Sequence, residues 1–557
     1  MSSTSFLNPS ASAFVAGAAD QTTPAAGSVT NSAGGQSQLV SPLDQLRRFL
    51  ILGSTDSFYA SKATIEAGVA QRMIEELDGL EAVAEIVAVS DGGRAPKQGP
   101  AIFALALCAR LGDAETKKVA YAALPKVCRI PTHLFEFVGQ CESLGESSGW
   151  GRAHRRAVGG WYLQKAPLRL AEALTKYKQR DGWSHRDVLR LCHAKPGGDA
   201  TMQFLFRYAT KGIAEAMSKG VPTEVAAVAD YCGAVEEAKG ATTAAQICDL
   251  IVEHGLVREH VPTELLNEPA VWSTLLMAGR GMPMTAMLRN LAKMTSLDLF
   301  SGEGSEAASF VVAQLGSAEA LRKARIHPFS VLMALKVYEK GHGDKGSLSW
   351  TPDPRIAAAL DAAFYLAFAS VQPTGKRFCV ALDVSGSMGA YDVVGCGMNA
   401  REASAAMAMV TLGTEQWCDT VAFTSGRHGD YARSGPVTPF ALRKDMTLRE
   451  ANDLMAGQRF GGTDCAVPMI DAAKRGAKYD VFVVYTDCET WAGAIHADEA
   501  LRRYRKSSGI ADAKLIVVGM TANKFTIADP ADRGMLDVAG FDSAVPSIMS
   551  AFAQGLI

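Results

Sequence analysis

Asp383, Ser385 and Ser387 stand at alternate positions just after the run Arg377–Leu382, which reads as a short, buried β-strand. In a loop leaving the C-terminal end of a strand, that spacing can bring one carboxylate and two hydroxyls to a point. Such a donor set suits a hard cation such as Mg²⁺, which takes oxygens in octahedral geometry and keeps some positions for water. Two more oxygen donors follow, each at the end of its own segment. Thr463 lies in the turn Phe460-Gly-Gly-Thr-Asp464, and Asp487 follows the strand-like run Val481–Thr486. The expectation is a divalent cation, Mg²⁺, held by Asp383, Ser385, Ser387, Thr463 and Asp487.

D-x-S-x-S alone also describes a Ser/Gly-rich strand-to-helix turn, and it gains meaning only from the two downstream donors. With them, the five points resemble the metal-ion-dependent adhesion site of von Willebrand factor A domains. Enzyme signatures are missing from the sequence. There is no G-x-S-x-G elbow, no Walker A pattern, and Ser385 stands where an aspartyl-phosphate enzyme needs a second Asp.

The elements that must position these donors lie beyond Pro373-Thr-Gly375. Strand-like runs at 378–382, 421–423, 480–485 and 515–518 alternate with amphipathic helical stretches such as 399–411 and 495–506. Alternation of this kind predicts an α/β doubly wound domain over 371–557, with a parallel sheet covered by helices. Ligands of such sheets sit beyond the strand C-termini at a topological switch point, where the Asp383 loop should lie.

Upstream, from about Leu43 to Phe368, apolar residues recur at helical spacing, as in Ile102-Phe103-x-Leu105-Ala106-Leu107 and Val311-Val312-x-x-Leu315. Breakers such as Gly92-Gly93, Pro131, Gly159-Gly160, Pro196-Gly-Gly198 and Pro283 punctuate the pattern. This predicts an all-α helical-repeat domain over 41–370, although no strict period is present.

The net charge of −2 hides a local asymmetry. Between Arg152 and Lys195 stand eleven Lys or Arg and three acids (Glu172, Asp181, Asp187), a formal balance of +8. On a helix Arg152, Arg155 and Arg156 share one face, and Lys176 and Arg180 are one turn apart. Like charges at those spacings repel, so such a cluster is costly unless a polyanion neutralises it. A solvated helical face is the plainer explanation of most basic runs; this density in a balanced chain favours phosphate binding. The interleaved Trp150, Trp161, Tyr162, Tyr177 and Trp183 suit stacking on unpaired RNA bases, although for any single one of them a core position is the better reading.

Eleven cysteines are scattered singly without a C-x-x-C pair, which argues against a zinc ribbon or a disulfide framework and for a reducing compartment. Residues 1–40 contain one charged side chain, Asp20, and no secretory pattern; they read as a disordered low-complexity tail. No run reaches the roughly 18 apolar residues of a membrane span. The expectation is a cytoplasmic protein without membrane contact.

Several longer stretches carry a second resemblance: Lys126–Phe135, Thr175–Arg180, Gly182–His185, Ala324–Phe329, Leu360–Tyr365, Pro373–Phe378, Gly461–Cys465 and Phe525–Leu536 closely resemble the Ro autoantigen family. The likeness runs from about residue 43 to the C-terminus. It implies a TROVE module of HEAT-like helices in a ring, followed by the von Willebrand A-like domain. It also implies Y RNA and the single-stranded 3′ ends of misfolded noncoding RNAs as partners, in noncoding-RNA quality control. Lys176, Arg180 and His193 fall where the family contacts Y RNA, and Arg152, Arg155 and Arg156 resemble its basic Trp-Gly-Arg helix. Lys178, His185 and Arg190 complete the candidate RNA-binding set. A bacterial source would imply a 3′ exonuclease partner, polynucleotide phosphorylase, with Y RNA as tether. One departure is that Cys488 follows Asp487 where many von Willebrand A domains place Gly.

The reading is therefore a noncatalytic, monomeric RNA-binding scaffold. Two rivals are a protein-adhesion module working through the metal site and a metal-dependent hydrolase. The first leaves the basic segment unexplained, and the second lacks a general base or nucleophile beside the donors.

Overall fold

The computed structural model describes residues 13–25, 27–52, 76–95, 97–144, 150–180, 182–218, 220–343, 347–368, 373–390, 399–425, 436–458, 461–540, 542 and 544–556. Expectations placed on residues 1–12, Asp181, Cys396 and Phe460 lie outside the described residues. The chain divides into two compact units. One comprises Met1–Leu77, Gly93–Pro100 and Phe368–Ile557, the other Asp78–Gly92 and Ala101–Ala367.

The expectation of a disordered tail over 1–40 is corrected for the residues described. Strands β1 (Val29–Thr30) and β2 (Gln36–Leu39) pair antiparallel, and Val15 is buried in the core of the first unit. Gln21, Asn31, Gln36 and Ser37 are buried as well. Neutral amides and hydroxyls can be buried when each finds a hydrogen-bond partner, so a polar composition did not imply disorder here. Helix Pro42–Leu52 belongs to this unit too, and the boundary at residue 41 is not observed.

The second unit is almost entirely helical, as expected. Many of its helices start on side-chain caps (Asp113, Asp199, Thr243, Ser305, Ser317) or on proline in the first turn (Pro131, Pro167, Pro269, Pro328, Pro354), which lacks the N–H a first turn cannot use. They pack chiefly on near neighbours in sequence, Ala114–Val127 against Arg152–Leu163 and Pro328–Lys340 against Pro354–Leu366 among them. Gly159-Gly160 does not break a helix, contrary to expectation, but lies inside Arg152–Leu163. Gly159 serves close packing: a Cβ there would stand 3.2 Å from Ala194 Cβ. A short hairpin in this unit joins β3 (Gln179–Arg180) to β4 (Trp183–Ser184).

The rest of the first unit is the expected α/β layer. Strands β5 (Arg377–Asp383), β6 (Trp417–Phe423), β7 (Val437–Pro439), β8 (Val481–Thr486), β9 (Lys514–Gly519) and β11 (Met535–Ala539) form one sheet in the order β11-β9-β8-β5-β6-β7. All neighbours are parallel except β7. Residues 378–382 are buried without alternation, as expected of a strand covered on both faces. Cys379 and Ala381 join the cluster under helices Val467–Arg475 and Ala497–Ser508, and Ala400–Thr414 packs on β5 and β6. A two-residue strand, β10 (Phe525–Thr526), pairs with β2 outside this sheet. From β5 the chain steps to β6 on one side and later to β8, β9 and β11 on the other, so the order reverses at β5. Among the described residues no helix is long and apolar enough to cross a membrane, and the ten cysteines are free thiols.

Candidate metal centre and basic surface

Because β5 and β8 are parallel neighbours in register, Leu382 facing Tyr485, their last residues deliver Asp383 and Asp487 to the same end of the sheet. Asp383, Ser385, Ser387, Thr463 and Asp487 are all buried. Asp383 Oδ1 accepts from its own loop, Ser385 N at 2.8 Å, and Ser385 Oγ lies 3.1 Å from Ser387 Oγ. The Gly-Gly-Thr turn is drawn in when Gly386 N donates to Gly461 O at 3.3 Å. Thr463 O accepts from Trp491 N and Ala492 N at 3.2 and 3.0 Å, which ties the turn to the loop after Asp487.

Burial first, and then the Asp487 carboxylate, push the Asp383 carboxyl up to about 7. Two carboxylates that resist ionising together, buried with three hydroxyls, form a hard, oxygen-only donor set that fits a divalent cation and would be relieved by its charge. The glycines are required by approach: a Cβ on Gly462 would meet the Trp491 ring at 2.8 Å and Ser425 Oγ at 2.9 Å. Ser425 Oγ itself is buried with no hydrogen-bond partner among the described residues, a polar atom that sequence reading had no reason to select. Cys488 adopts φ 63°, the left-handed region that glycine occupies without cost.

The basic residues lie in the helical unit. Helix Arg152–Leu163 turns Val158, Gly159, Trp161 and Tyr162 inward and leaves Arg152, Arg155 and Arg156 exposed on one face, as their spacing predicted. Helix Pro167–Lys176 ends at Lys176, so the expected helical pairing of Lys176 with Arg180 is corrected: Arg180 is on β3 of the hairpin, whose turn uses Gly182 at φ 81°. Lys176 is half-buried and 3.7 Å from Glu259; Lys178 and Arg180 are exposed. Arg190 is exposed on helix His185–Cys192, and His193 caps its end, exposed, at φ 51°. Among the described residues no carboxylate pairs with Arg152, Arg155, Arg156 or Arg190.

His185 departs from its expected surface role. It is 3 % exposed, with Nδ1 3.0 Å from Tyr162 Oη and Nε2 3.3 Å from Ala173 O, so both ring nitrogens serve the interior. Burial depresses its pKa to about 4. Of the interleaved aromatics, Trp150, Trp161 and Tyr162 are core residues, while Tyr177 and Trp183 remain partly exposed.

Packing adds an ion pair that the local charge count could not reach, Lys239 with Glu236. Lys239, at the end of helix Ala226–Ala238, stands beside Lys178; burial and then this neighbour draw the Lys178 pKa down. Arg280 pairs with Glu172 and removes one of the three acids from the balance. Both come from turns that follow later helices, and only the fold brings them here.

With this geometry in hand, comparison with known proteins is specific. Residues 29–337 match the TROVE domain model and residues 377–553 the Ro60 vWA domain model. The chain is 40 % identical over 599 residues to RNA-binding protein RO60 of Caenorhabditis elegans, covering 95 % of this chain and 91 % of that protein. It is 38 % identical over 532 residues to RNA-binding protein RO60 of Deinococcus radiodurans, covering 95 % of each. The crystal structure of the Deinococcus radiodurans RO (RSR) protein matches with a TM-score of 0.67 over 93 % of this chain and 100 % of that one.

Proposed function

The chain belongs to the RO60 family, and from that premise we propose that it is a noncatalytic RNA-binding scaffold working through the basic face of its helical unit. The observation that carries this reading is the set of exposed cations, with Arg152, Arg155, Arg156 and Arg190 on helices whose other faces are buried and Lys178 and Arg180 at the β3–β4 hairpin. Cations clustered at a surface favour phosphate as a partner. Lys176, Lys178, Arg180, Arg190 and His193 engage a Y RNA stem through its backbone, and Arg152, Arg155 and Arg156 engage single-stranded 3′ ends of misfolded RNA. A 3′ exonuclease recruited through the bound Y RNA is the partner this reading implies.

The α/β unit holds a divalent cation, Mg²⁺, through Asp383, Ser385, Ser387, Thr463 and Asp487. Bound there, the cation supplies a coordination position for an oxygen donor of a partner protein, and the unit acts as a docking face. The adhesion reading survives in this form, as a second task on a separate unit.

The test is a titration of a Y-like stem-loop and of a 3′-tailed duplex across a salt series, using the wild type, Lys178→Ala/Arg180→Ala and Asp383→Ala. Loss of affinity in the basic variant alone supports the assignment. Loss in the Asp383 variant alone overturns it.

A further inference from the structure

We propose that residues 13–40 are a clip on the metal face, with Gln21 as the residue that positions the two loops carrying Thr463 and Asp487. The inference rests on the metal reading above and adds to it a positioning element from the opposite end of the sequence.

Gln21 is 1 % exposed, and its amide is fully used. Nε2 donates to Asp464 Oδ1 at 2.7 Å and to Ile495 O at 3.0 Å, and Oε1 accepts from Thr490 Oγ1. Thr490 Oγ1 also accepts from Cys465 N at 3.2 Å, so one side chain bridges the turn after Thr463 and the loop after Asp487. Its backbone takes part as well: Gln21 N donates to Gly493 O at 3.0 Å, and Gln36 N to Gln21 O at 2.7 Å.

Two neighbours extend the contact. Asn31 Nδ2 donates to Thr490 O at 2.8 Å, and Ser37 Oγ to Cys488 O at 3.1 Å. Gly35 lies so close that a Cβ would fall 1.9 Å from Thr490 O. The carbonyls of Cys488, Thr490, Gly493 and Ile495 thus all receive donors from the first forty residues.

This pattern does more than cover a surface. An apolar strap would bury the loop without fixing it, whereas directional donors set the path of each peptide. Thr463 and Asp487 immediately precede two of the residues held, Asp464 and Cys488. Groups that orient a metal's ligands from behind typically change its affinity by about 10- to 100-fold when removed. Removing Gln21 releases both loops at once.

The experiment uses the full-length chain, stripped of metal with EDTA, and Mn²⁺ as the probe, followed by electron paramagnetic resonance. Amide hydrogen exchange of residues 488–495 is measured on the metal-free protein. Variants are Gln21→Ala, Asn31→Ala as a second test should the first fold poorly, and Arg505→Ala, which breaks the Arg505–Asp532 ion pair and serves as a stability control.

The expected result is Mn²⁺ affinity weaker by about 10- to 100-fold in Gln21→Ala, with faster exchange at 488–495. Arg505→Ala lowers the melting temperature and changes neither. Unaltered exchange in Gln21→Ala and Asn31→Ala overturns the clip, whatever the metal does. Faster exchange with unaltered Mn²⁺ affinity overturns the positioning role of Gln21. A wild type that takes up no Mn²⁺ overturns the metal reading itself, and this role with it, while exchange still decides whether the segment holds the loop.

Discussion

Thr486 Oγ1 donates a hydrogen bond of 2.7 Å to Asp383 Oδ2, across the ends of two neighbouring parallel strands. It is a strand-to-strand contact that uses one carboxylate oxygen, while Ser385 N takes the other. Thr486→Val keeps the shape of the side chain and leaves that buried oxygen without its donor. The expected cost is about 1–3 kcal/mol of stability, read from urea unfolding. A variant as stable as wild type would show that this bond does not hold the strand ends together.

Removing the carboxylate tests the metal directly. Wild type should melt higher with Mg²⁺ than with EDTA, by mass action on the folded state. Asp383→Ala should lose that difference and keep its affinity for a Y-like RNA. A persistent Mg²⁺ shift in the variant would place the cation elsewhere.

The basic face predicts a salt signature. For each phosphate contact removed, the log–log slope of affinity against salt should fall by about 0.7 for single strands and about 0.9 for a duplex. Lys178→Ala and Lys239→Ala should each reduce it for a Y-like stem, although 60 residues separate them in sequence order and Lys239 lies outside the basic run. His185→Ala should instead lower stability and leave the slope alone.

Acid should unfold the helical unit early. Burial, the largest cause in each case, pushes His154, His185 and His260 down to about 4, against an ordinary value near 6.5. Above 6.5 these rings are neutral in both states and their contribution is complete. Below it the unfolded chain takes up protons first, so stability falls as pH drops from 6.5 towards 4, by at most about 1.4 kcal/mol per pH unit for each histidine. Circular dichroism melts across that window check it; a flat profile would contradict the burial of these rings.

Cys488 offers a test of backbone strain. A non-glycine residue at φ 63° costs roughly 1–2 kcal/mol, which Cys488→Gly would recover while losing a buried thiol. The net change should lie within about 1 kcal/mol of wild type. Cys488→Val, β-branched and disfavoured at positive φ, should destabilise by about 2 kcal/mol or more. Chemical denaturation of both variants decides.

Much of this architecture was legible in the order of residues. Strands carrying Asp383 and Asp487 announced themselves as short apolar runs, and the outward face of Arg152, Arg155 and Arg156 followed from helical geometry. The failures have particular causes. Arg180 left its helix because the turn at Gly182 closes a hairpin, a change of period too short to register in a window of apolar residues. His185 carried the same letter as a surface ligand, and only packing against Tyr162 and Phe135 shows it as a core residue. The first forty residues misled most, since burial of amides depends on partners more than four hundred positions away. Lys239 and Arg280 were invisible because the residues they meet, Lys178 and Glu172, belong to other elements of the helical unit.

That last contact has a consequence for how the molecule is made. Gln21 and Asp464 are separated by 443 positions, and β2 pairs with β10 at Phe525 and Thr526. During synthesis the amino-terminal segment emerges first and finds its docking surface only when the last part of the α/β unit has left the ribosome. The delay itself is thermodynamically mild, because loop-closure entropy grows only by about 0.6 kcal/mol per doubling of length. Its effect is on timing. The helical unit can fold while both ends of the other unit wait, and the metal-loop geometry is completed only by a full-length chain. A product truncated before residue 460 would carry β2 with the edge that faces β10 open, a marker that separates unfinished chains from finished ones.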